Sequence, residues 1–251
     1  QLDHPTVVPV YDLGVAADGR AFFTMKRVRG VTLTDVLEQQ RASGSDGRYT
    51  QHRVLAAFAQ VCIAVHYAHV RGVVHRDLKP ENVMLGEFGE VYLLDWGIAR
   101  VDGALELANP GRVMVPEAGG RTLTREGAVF GTPGYMAPEQ ARGLHSQLHH
   151  RADVYALGTI LFEILALEPL HRGASTVEIL TSTIVGPDVA GRLRALDIAP
   201  ELEAACLRAT DLNPEVRFPT ARLLHDAVER YLEGDRDLER RRKLADGHAG
   251  A

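Results

Sequence analysis

The hydrophobic positions along the chain change from an extended to a helical spacing after about thirty residues. "TVVPVYDLG" and "AFFTMKRV" have the composition of strands, and the "ADGR" between them contains an Asp-Gly pair that favours a hairpin turn. From "TLTDVLEQQ" onward the apolar residues recur at helical spacing, with a Thr placed to cap the first helix. The longest helical segment is "TQHRVLAAFAQVCIAVHYAHVRG", which closes at a glycine. The pattern predicts a small hairpin followed by a mainly helical body.

The rest of the chain alternates between short strands, a long loop and further helices. "VMLGEFGEVYLLDWG" predicts two short strands around a Gly-containing turn, and the two glycines of that turn, "GEFGEV", do not form a three-glycine phosphate loop. Residues 110 to 134 are rich in Gly, Pro, Thr and Arg, which predicts a long exposed loop. Three later segments have helical periodicity: "ADVYALGTILFEILAL", "ELEAACLRATDL" and "TARLLHDAVERYLEGDRDLERRRKLA".

Composition is that of an ordinary globular protein. The chain has 251 residues with 45% apolar content, enough to bury a sizeable core in one large domain or in a domain and a fragment. The net charge of -5 provides no basic field for nucleic acid, and the short "ERRRKL" run has the pattern of a solvated helix face. We therefore expect no nucleic-acid partner.

Cysteine content and hydropathy bear on location. Cys62 and Cys206 both lie in apolar helical patterns, which favours buried free thiols in a reducing compartment over a disulfide or metal pair. The most apolar segment, residues 54 to 70, is interrupted by three polar residues and falls short of the roughly 20 apolar residues of a membrane span. No signal-peptide pattern opens the sequence. These features predict a cytoplasmic location and no membrane span in this chain.

The densest cluster of reactive side chains is "GVVHRDLKPENVML". Its Asp77, Lys79 and Asn82 suit phosphoryl transfer, a reaction that needs positioning and charge neutralisation more than covalent help. Asp77 can accept a hydroxyl proton, Lys79 can steady the phosphoryl group and Asn82 can bind a metal ion. Asp95 follows the next apolar strand, where a second carboxylate can hold magnesium against nucleotide phosphates.

Several motifs in a fixed order carry a family resemblance. They are "HRDLKPEN", "DWG", "GTPGYMAPEQ", "ADVYALG" and "NPEVRF". From about residue 4 to about residue 232 the chain resembles the eukaryotic-type (Hanks-type) serine/threonine protein kinases of bacteria. The resemblance implies transfer of the ATP gamma-phosphate to Ser and Thr hydroxyls of protein substrates, with Mg²⁺.

The resemblance also implies a fold and a domain division. The fold is α+β and protein-kinase-like, consisting mainly of the helical C-terminal lobe with the last strands and hinge of the N-terminal lobe. The expected parts are residues 1–28 as a remnant of the N-terminal lobe, residues 29–232 as the C-terminal lobe, and residues 233–251 as a charged helical tail or linker. Many bacterial kinases of this type continue into further domains, sometimes through a membrane span.

The same resemblance implies roles for the catalytic residues. Asp77 becomes the base, Lys79 the phosphate contact, and Asn82 and Asp95 the metal ligands. Thr132 of "GTPGYMAPEQ" is expected near Asp77 and the substrate hydroxyl. The "DWG" motif has Trp in place of the usual Phe, and its large apolar ring preserves the packing beneath the metal-binding Asp.

Structural and adenine-binding residues follow from matching motifs. Glu139 is expected to pair with Arg217, and Asp153 to support the backbone of His75 and Arg76. The expected adenine contacts are Met25 as gatekeeper, the hinge from Lys26 to Val28, and Met84 as the apolar floor.

Thr122 and Thr124 lie where kinases of this type carry activating phosphates, and a phosphate there could pair with Arg76. The alternative is an unmodified polar loop. The same region contains an apparent insert, "VDGALELANPGRVMVPEAGG", to which the resemblance assigns no role.

Five histidines invite a zinc interpretation, but no tight ligand pair with a Cys or an acidic residue accompanies them. Helix packing or surface exposure is the simpler interpretation. The five are His66, His69, His145, His149 and His150.

Parts of a complete kinase are not in this sequence. There is no Gly-x-Gly-x-x-Gly, and the three lysines are Lys26, Lys79 and Lys243, which match the hinge, the catalytic loop and the tail. One hypothesis is an incomplete fragment of an active kinase, which should bind ATP poorly alone; the other is a truncated pseudokinase that acts as a binding or scaffold module. A small-molecule kinase is a third interpretation, weakened by the protein-substrate platform motif. The edge of strand "FFTMKRV" further predicts self-association.

Overall fold

The computed structural model describes residues 2–15, 21–44, 47–96, 100–101, 131–144 and 149–249, without the side chains of Leu13, Ala21, Arg100, Val101 and residues 236–249. The strands are β1 (Val10–Val15), β2 (Ala21–Met25), β3 (Val31–Thr32), β4 (Val73–Val74), β5 (Val83–Leu85), β6 (Val91–Leu93) and β7 (Arg100–Val101). The helices are α1 (Leu33–Ser43), α2 (Gln51–Val70), α3 (Pro138–Ala141), α4 (Arg151–Ala166), α5 (Thr176–Val185), α6 (Val189–Arg194), α7 (Pro200–Ala209) and α8 (Ala221–Ala249). A 3-10 turn covers Pro80–Asn82.

The predicted hairpin is confirmed. Strands β1 and β2 pair antiparallel, from Val10 opposite Met25 to Val15 opposite Ala21, and the connecting residues 16–20 lie outside the described ranges. Among the described residues no third strand pairs with either one. Large apolar side chains along the hairpin face solvent: Val10, Tyr11, Val15, Phe22, Phe23 and Met25. The hairpin therefore exposes most of its large apolar side chains.

The segment before the hairpin anchors it to the helical body. Thr6, Val7 and Val8 are buried, and Val7 forms a parallel bridge with Leu93. The backbone N–H of Leu93 donates to the carbonyl of Thr6 at 2.7 Å. These contacts connect the start of the chain to β6.

Two small sheets frame the loop that carries the reactive cluster. Strands β3, β5 and β6 form a three-stranded antiparallel sheet, with Val31 opposite Leu85 and Val83 opposite Leu93. Strands β4 and β7 form a separate antiparallel pair. The predicted turn between β5 and β6 is confirmed and is closed by the N–H of Gly86 donating to the carbonyl of Glu90.

Helices α2 and α4 form the centre of the helical body. Every residue of α4 from Ala152 to Leu165 is buried, as expected of a helix that is apolar on all sides. Helix α2 packs against α4 and α8, and α7 packs against α4 and α8. The helices predicted at these positions are confirmed.

Helix α2 lies within the long helical segment predicted between Thr50 and Gly72. It has 20 residues, and in the described part of the chain it is the one helix long and apolar enough to cross a membrane by those two criteria. More than half of its most apolar stretch is buried inside the protein. It occupies the position of a central core helix.

Side chains cap the first two helices, as the sequence pattern indicated for the first of them. The hydroxyl of Thr32 accepts from the N–H of Asp35, and the Asp35 carboxylate accepts in return from the N–H of Thr32. The Thr50 hydroxyl caps α2 by accepting from the N–H of Arg53. Each such cap stabilises its helix by about 1 kcal/mol.

Three short helices were not predicted: α3, α5 and α6. Helix α5 contains several β-branched residues, which lower helix propensity, and exposes Val177 and Val185. Its stability comes from the Ser175 cap and from packing against α3, contacts that sequence periodicity does not reveal.

Candidate active site

The reactive cluster lies on the loop that joins β4 to β5. Arg76 in this loop has a φ of 71°, a left-handed conformation that is unfavourable for a residue with a Cβ. The Asp153 carboxylate of α4 accepts the backbone N–H groups of both His75 and Arg76, each at 2.8 Å. The buried helix thus fixes the backbone immediately before Asp77.

Asp153 is itself held by a residue that sequence reasoning missed. The Nε2 of His69 lies 2.7 Å from the Asp153 carboxylate oxygen. Burial opposes ionisation of Asp153, but the hydrogen bond and charge of His69, with help from His75 and Arg76, outweigh it and lower the pKa of Asp153. Asp153 therefore stays a carboxylate although it is fully buried.

A threonine hydroxyl bridges the two central charged groups. The Thr132 hydroxyl donates to Asp77 Oδ1 at 2.7 Å, and Lys79 Nζ donates to the same hydroxyl at 2.8 Å. Lys79 Nζ is 3.3 Å from Asp77 Oδ2. The arrangement places a hydroxyl within proton-transfer distance of a carboxylate and beside a cation.

Asn82 and Asp95 lie at one end of the β5–β6 pair. Val83 is opposite Leu93, so Asn82 and Asp95 continue from paired strand ends. The Asn82 side-chain amide donates to the Asp77 carbonyl at 2.9 Å, which orients the Asn82 oxygen away from that bond. Asp95 is exposed and has a φ of 54°. An amide oxygen and a carboxylate are donors that Mg²⁺ accepts, so the two side chains fit a divalent cation.

Trp96, the residue after Asp95, packs against His75. Its ring centroid is 4.6 Å from that of His75, and its indole N–H donates to the Leu93 carbonyl at 3.3 Å. Burial lowers the pKa of His75, although Asp153 and the Leu94 carbonyl act in the opposite direction. A neutral imidazole therefore packs against the indole with the two rings tilted by 56°, and the Trp of "DWG" has a packed position.

Arg217 and Glu139 form a buried ion pair below the loop. Arg217 is 0% exposed, and two of its nitrogens donate to the Glu139 carboxylate at 2.7 and 2.8 Å. Its guanidinium also lies 4.9 Å from the ring centroid of Tyr155. Further guanidinium hydrogen bonds go to the carbonyls of Arg151, Asp211 and Leu212.

A second polar network, around Glu163, was not predicted. The Tyr135 hydroxyl donates to Glu163 at 2.7 Å, and Arg41 donates to the other oxygen of Glu163 and to the Leu167 carbonyl. Burial, followed by the Glu163 charge, raises the pKa of Tyr135. Arg41 is 122 residues from Glu163 in sequence, so no local pattern could have revealed the pairing.

The residues predicted to contact adenine make fewer polar contacts than the residues of the catalytic loop. Met84 is half-buried in β5, opposite Thr32 on one side and Tyr92 on the other. Lys26 Nζ is 5.4 Å from the centroid of the Tyr92 ring. Met84 is therefore placed between the neighbouring strands of its sheet.

The hinge residues lie at the end of β2. Met25 is 46% exposed, and Val28 is half-buried. The N–H of Lys26 donates to the Pro9 carbonyl at 3.1 Å, so that N–H is not available to a base. The predicted adenine roles of Met25, Lys26 and Val28 stay predictions.

The predicted regulatory threonines, Thr122 and Thr124, lie outside the described residues. Their predicted partner Arg76 is 7% exposed, and its carbonyl accepts from the Gln140 side chain at 3.0 Å. Phosphorylation of the two threonines stays a prediction.

Comparison with known proteins gives a consistent family match. Residues 1–194 match the model of the protein kinase domain. The chain is 36% identical over 236 residues to serine/threonine-protein kinase PknB of Mycolicibacterium smegmatis, covering 93% of this chain and 34% of that protein. It is 33% identical over 246 residues to serine/threonine-protein kinase PknD of Chlamydia trachomatis, covering 93% of this chain and 26% of that protein. The chain thus spans about a third or less of the length of these relatives.

Proposed function

Because this chain belongs to the protein kinase domain family, as its match over residues 1–194 shows, we propose that it carries the phosphoryl-transfer centre of a protein serine/threonine kinase. The predicted α+β kinase-like fold is confirmed by the same match and by the mixed helices and small antiparallel sheets. The observation that carries the proposal is the hydroxyl of Thr132 held between Asp77 and Lys79.

The contacts of Asp77 support a role as base. A Ser or Thr hydroxyl of a substrate that approaches as the Thr132 hydroxyl does meets a carboxylate oxygen within 2.7 Å. Asp77 then takes the hydroxyl proton, and Lys79 neutralises charge on the transferred phosphoryl group. Thr132 fixes the separation of the two side chains through its bonds to both.

Protein kinases use ATP and a divalent metal ion, and in this chain we assign the metal to Asn82 and Asp95. When bound, the ion neutralises phosphate charge. Asn82 contributes an amide oxygen whose orientation is fixed by its bond to the Asp77 carbonyl. Asp95 contributes a carboxylate from the exposed end of the same strand pair. We assign Mg²⁺ as the divalent ion because both proposed ligands provide oxygen atoms.

We assign the adenine ring to the apolar surface at Met84 and to the hinge from Met25 to Val28. Support comes from the half-buried position of Met84 in the sheet and from the hinge that leads into β3. The N–H of Lys26 donates to the Pro9 carbonyl. The hinge groups left to hydrogen-bond adenine are therefore the Lys26 carbonyl and the backbone of Val28.

The protein substrates, location and self-association of the parent protein are also proposals. The buried Arg217–Glu139 pair supports a rigid platform for protein substrates with Ser or Thr. Two buried free thiols, Cys62 and Cys206, support a reducing, cytoplasmic compartment for this domain. The exposed apolar hairpin supports self-association through its strand edge.

Phosphorylation of Thr122 and Thr124 remains a proposal for regulation. A phosphate on either residue could form charge-assisted hydrogen bonds with Arg76 and order the segment. Intact-mass analysis and peptide mapping after incubation with ATP and Mg²⁺ should find phosphate between residues 121 and 132. Phosphate elsewhere only would contradict this assignment.

The alternative proposal is a second function, a binding or scaffold module without catalysis. The sequence contains neither a Gly-rich loop nor a strand lysine to grip the nucleotide phosphates. Each missing charge-assisted contact lowers nucleotide affinity by roughly 1.5–3 kcal/mol. Transfer and binding measurements separate the two functions.

The direct test is transfer of labelled gamma-phosphate from ATP to a protein rich in Ser and Thr. We would measure the chain alone and the chain joined to an upstream segment that supplies a Gly-rich loop and a strand lysine. Asp77→Asn should lower the transfer rate about 10²- to 10⁴-fold, the usual contribution of a general base. The matched control is Asp197→Asn, at an exposed turn after α6 whose φ of 53° suits Asn. Equal rates for Asp77→Asn and the control would exclude the assigned role.

A further inference from the structure

Four histidines come together where α2 meets the start of α4. We call His66, His69, His149 and His150 the histidine cluster. The ring centroids of His69 and His150 are 5.5 Å apart, and those of His149 and His150 are also 5.5 Å apart. His66 precedes His69 by three residues on α2, on the same helix face. The cluster therefore surrounds His69 with other titratable rings.

The cluster is connected directly to the catalytic loop. His69 Nε2 lies 2.7 Å from Asp153 Oδ2, the same oxygen that accepts the N–H of His75. The side chain of His69 is only 6% exposed, and that of Asp153 is 1% exposed. Through Asp153 the cluster is two hydrogen bonds from the backbone that positions Asp77.

Two cluster nitrogens lack hydrogen-bond partners within the described part of the chain. They are the Nδ1 atoms of His66 and His69, both buried. His150 Nε2 lies 2.9 Å from the Pro219 carbonyl oxygen, and His149 Nδ1 accepts from the backbone N–H of Arg151. Ring packing rather than a complete hydrogen-bond network holds the cluster closed.

Charges of both signs face the cluster from every packed element. Arg151, at the start of α4, pairs with Glu215 at 2.5 Å. Arg222 and Asp226 face His66 from α8. The remaining facing groups are Asp153 on α4 and His75 and Arg76 in the catalytic loop. Around His66 and His150, the neighbouring cations and histidines that lower the histidine pKa outnumber the carboxylates that raise it.

These surroundings favour the neutral forms of His66 and His150. Burial lowers the pKa of His66, with His69 and Arg222 adding to the effect and Asp226 opposing it. Burial also lowers the pKa of His150, opposed by the Pro219 carbonyl and reinforced by His69, His149 and Arg151. His150 also occupies the N-cap position of α4, at the helix N-terminus, where a positive charge is unfavourable.

We propose that the histidine cluster is a proton-sensitive clamp on the catalytic loop: while the rings around His69 are neutral the cluster keeps His69 on Asp153, and proton uptake by those surrounding rings releases that contact. The clamp rests on the proposed kinase function, since it regulates the same catalytic loop. His69 is a positioning residue in this scheme, because it acts on Asp77 only through Asp153 and the loop backbone.

The direction of the effect follows from proton linkage. An opened cluster exposes His66 and His150 to water, where a histidine has an ordinary pKa near 6.5, so both bind a proton more tightly than in the closed cluster. Protons therefore favour the open form, and the hold on the loop is complete above about pH 6.5 and weakens as the pH falls below it. Acidification thus reduces catalytic competence before the whole domain unfolds.

Amide hydrogen exchange measured by NMR tests the clamp without ATP or substrate. The readout is the protection of the His75 and Arg76 amides, which donate to Asp153, at pH 7.5 and pH 5.5 after correction for intrinsic exchange. We expect their protection to fall about tenfold or more at the lower pH. Protection of the Thr210 amide, which donates to Cys206 at the end of α7, should change less than threefold.

Variants identify the titrating groups. The triple variant His66→Gln, His149→Gln, His150→Gln should keep protection of the loop amides at both pH values. His69→Gln retains a donor near the Asp153 oxygen and should keep protection, whereas His69→Phe should lose it at both. His52→Gln, at the opposite end of α2, is the matched control and should behave like the unmodified chain.

Equal protection of the loop amides at both pH values, or an equal fall in the triple variant, would overturn the proposal. The triple variant decides the outcome even when His69→Phe does not fold. A failed phosphotransfer assay combined with the predicted exchange pattern would refute the kinase function while leaving the clamp in place.

Discussion

The catalytic loop and the amino-terminal hairpin differ sharply in how they are held. The loop is fixed by a fully buried carboxylate, Asp153, and by the Asp77–Thr132–Lys79 contacts. The hairpin pairs only β1 with β2 in the described structure and exposes its aromatic side chains to solvent. One region is ordered by the helical core, and the other by a two-stranded pairing that is marginal in water by itself.

The difference separates two sets of assigned groups: the residues for phosphoryl transfer are held in place by the helical core of this chain, and the residues for adenine binding are not. The groups assigned to proton and phosphoryl transfer depend on α2 and α4, which lie at the centre of the domain. The groups assigned to adenine depend on the hairpin and hinge. We therefore expect damage to the helical body to have large effects, and damage to the hairpin to have small effects on stability.

The largest effect should come from Arg217→Ala, which leaves Glu139 buried without its cation. Removing one partner of a buried ion pair costs about 3–5 kcal/mol. Urea denaturation should show a loss of that size in the free energy of unfolding. Arg194→Ala breaks the exposed pair with Glu203 and should cost at most about 1 kcal/mol. If Arg217→Ala lowered the free energy of unfolding by less than about 1 kcal/mol, the buried ion pair would contribute no more to stability than an exposed one, which would contradict the comparison.

Acid should also act on the helical body. Burial, with help from Arg192, lowers the pKa of His171 to about 4, and its ring bonds the Tyr155 hydroxyl at 2.9 Å. The resulting stability is complete above the unfolded pKa of about 6.5 and is lost as the pH falls toward 4, with roughly 2–3 kcal/mol lost by pH 4.5. His171→Gln should lose correspondingly less between pH 7 and pH 4.5 in urea titrations. Identical losses in both proteins would show that His171 is not the responsible group.

A smaller effect is expected where α4 contacts α7 most closely. A Cβ added at Gly158 would lie 2.6 Å from the Cβ of Ala209. Gly158→Ala should therefore cost about 1–3 kcal/mol by overpacking. Gly234→Ala, in α8 with nothing within 4 Å of the added Cβ, should instead stabilise by about 0.5–1 kcal/mol. A stabilising Gly158→Ala in thermal or urea unfolding would contradict the close packing.

The smallest effect on stability is expected in the hairpin. Phe23→Lys puts a charge on an exposed strand and should change the free energy of unfolding by no more than about 0.5 kcal/mol. The same substitution should reduce self-association, because a lysine on a strand edge discourages pairing between copies. Sedimentation velocity over a concentration series measures both proteins. A monomeric unmodified chain at high concentration would eliminate the proposed self-association.

Sequence pattern predicted the long elements because their signals are local. Helices α2 and α4 have sustained apolar content, and the two strands of the hairpin flank an Asp-Gly pair in the sequence. Helices α5 and α6 were missed because their stability comes from end caps at Ser175 and Asp188 and from tertiary packing.

The residues of the candidate site that lie in short sequence motifs could be predicted from the sequence. Asp77, Lys79 and Asn82 are close in sequence, and the motif containing Thr132 indicated a fourth neighbour. The contacts of His69 with Asp153 and of Arg41 with Glu163 join residues 84 and 122 positions apart. Such partners depend on helix packing and have no signature in a single sequence.

The most direct test of the central claim is calorimetric titration with ATP and Mg²⁺ of the chain joined to an upstream segment with a Gly-rich loop and strand lysine. The chain alone and Asp95→Ala in the joined protein are measured beside it. We predict clear binding by the joined protein, weak binding by the chain alone, and loss of binding in Asp95→Ala. No binding by the joined protein, or undiminished binding by Asp95→Ala, would contradict a metal-nucleotide site at Asp95 and favour the scaffold function.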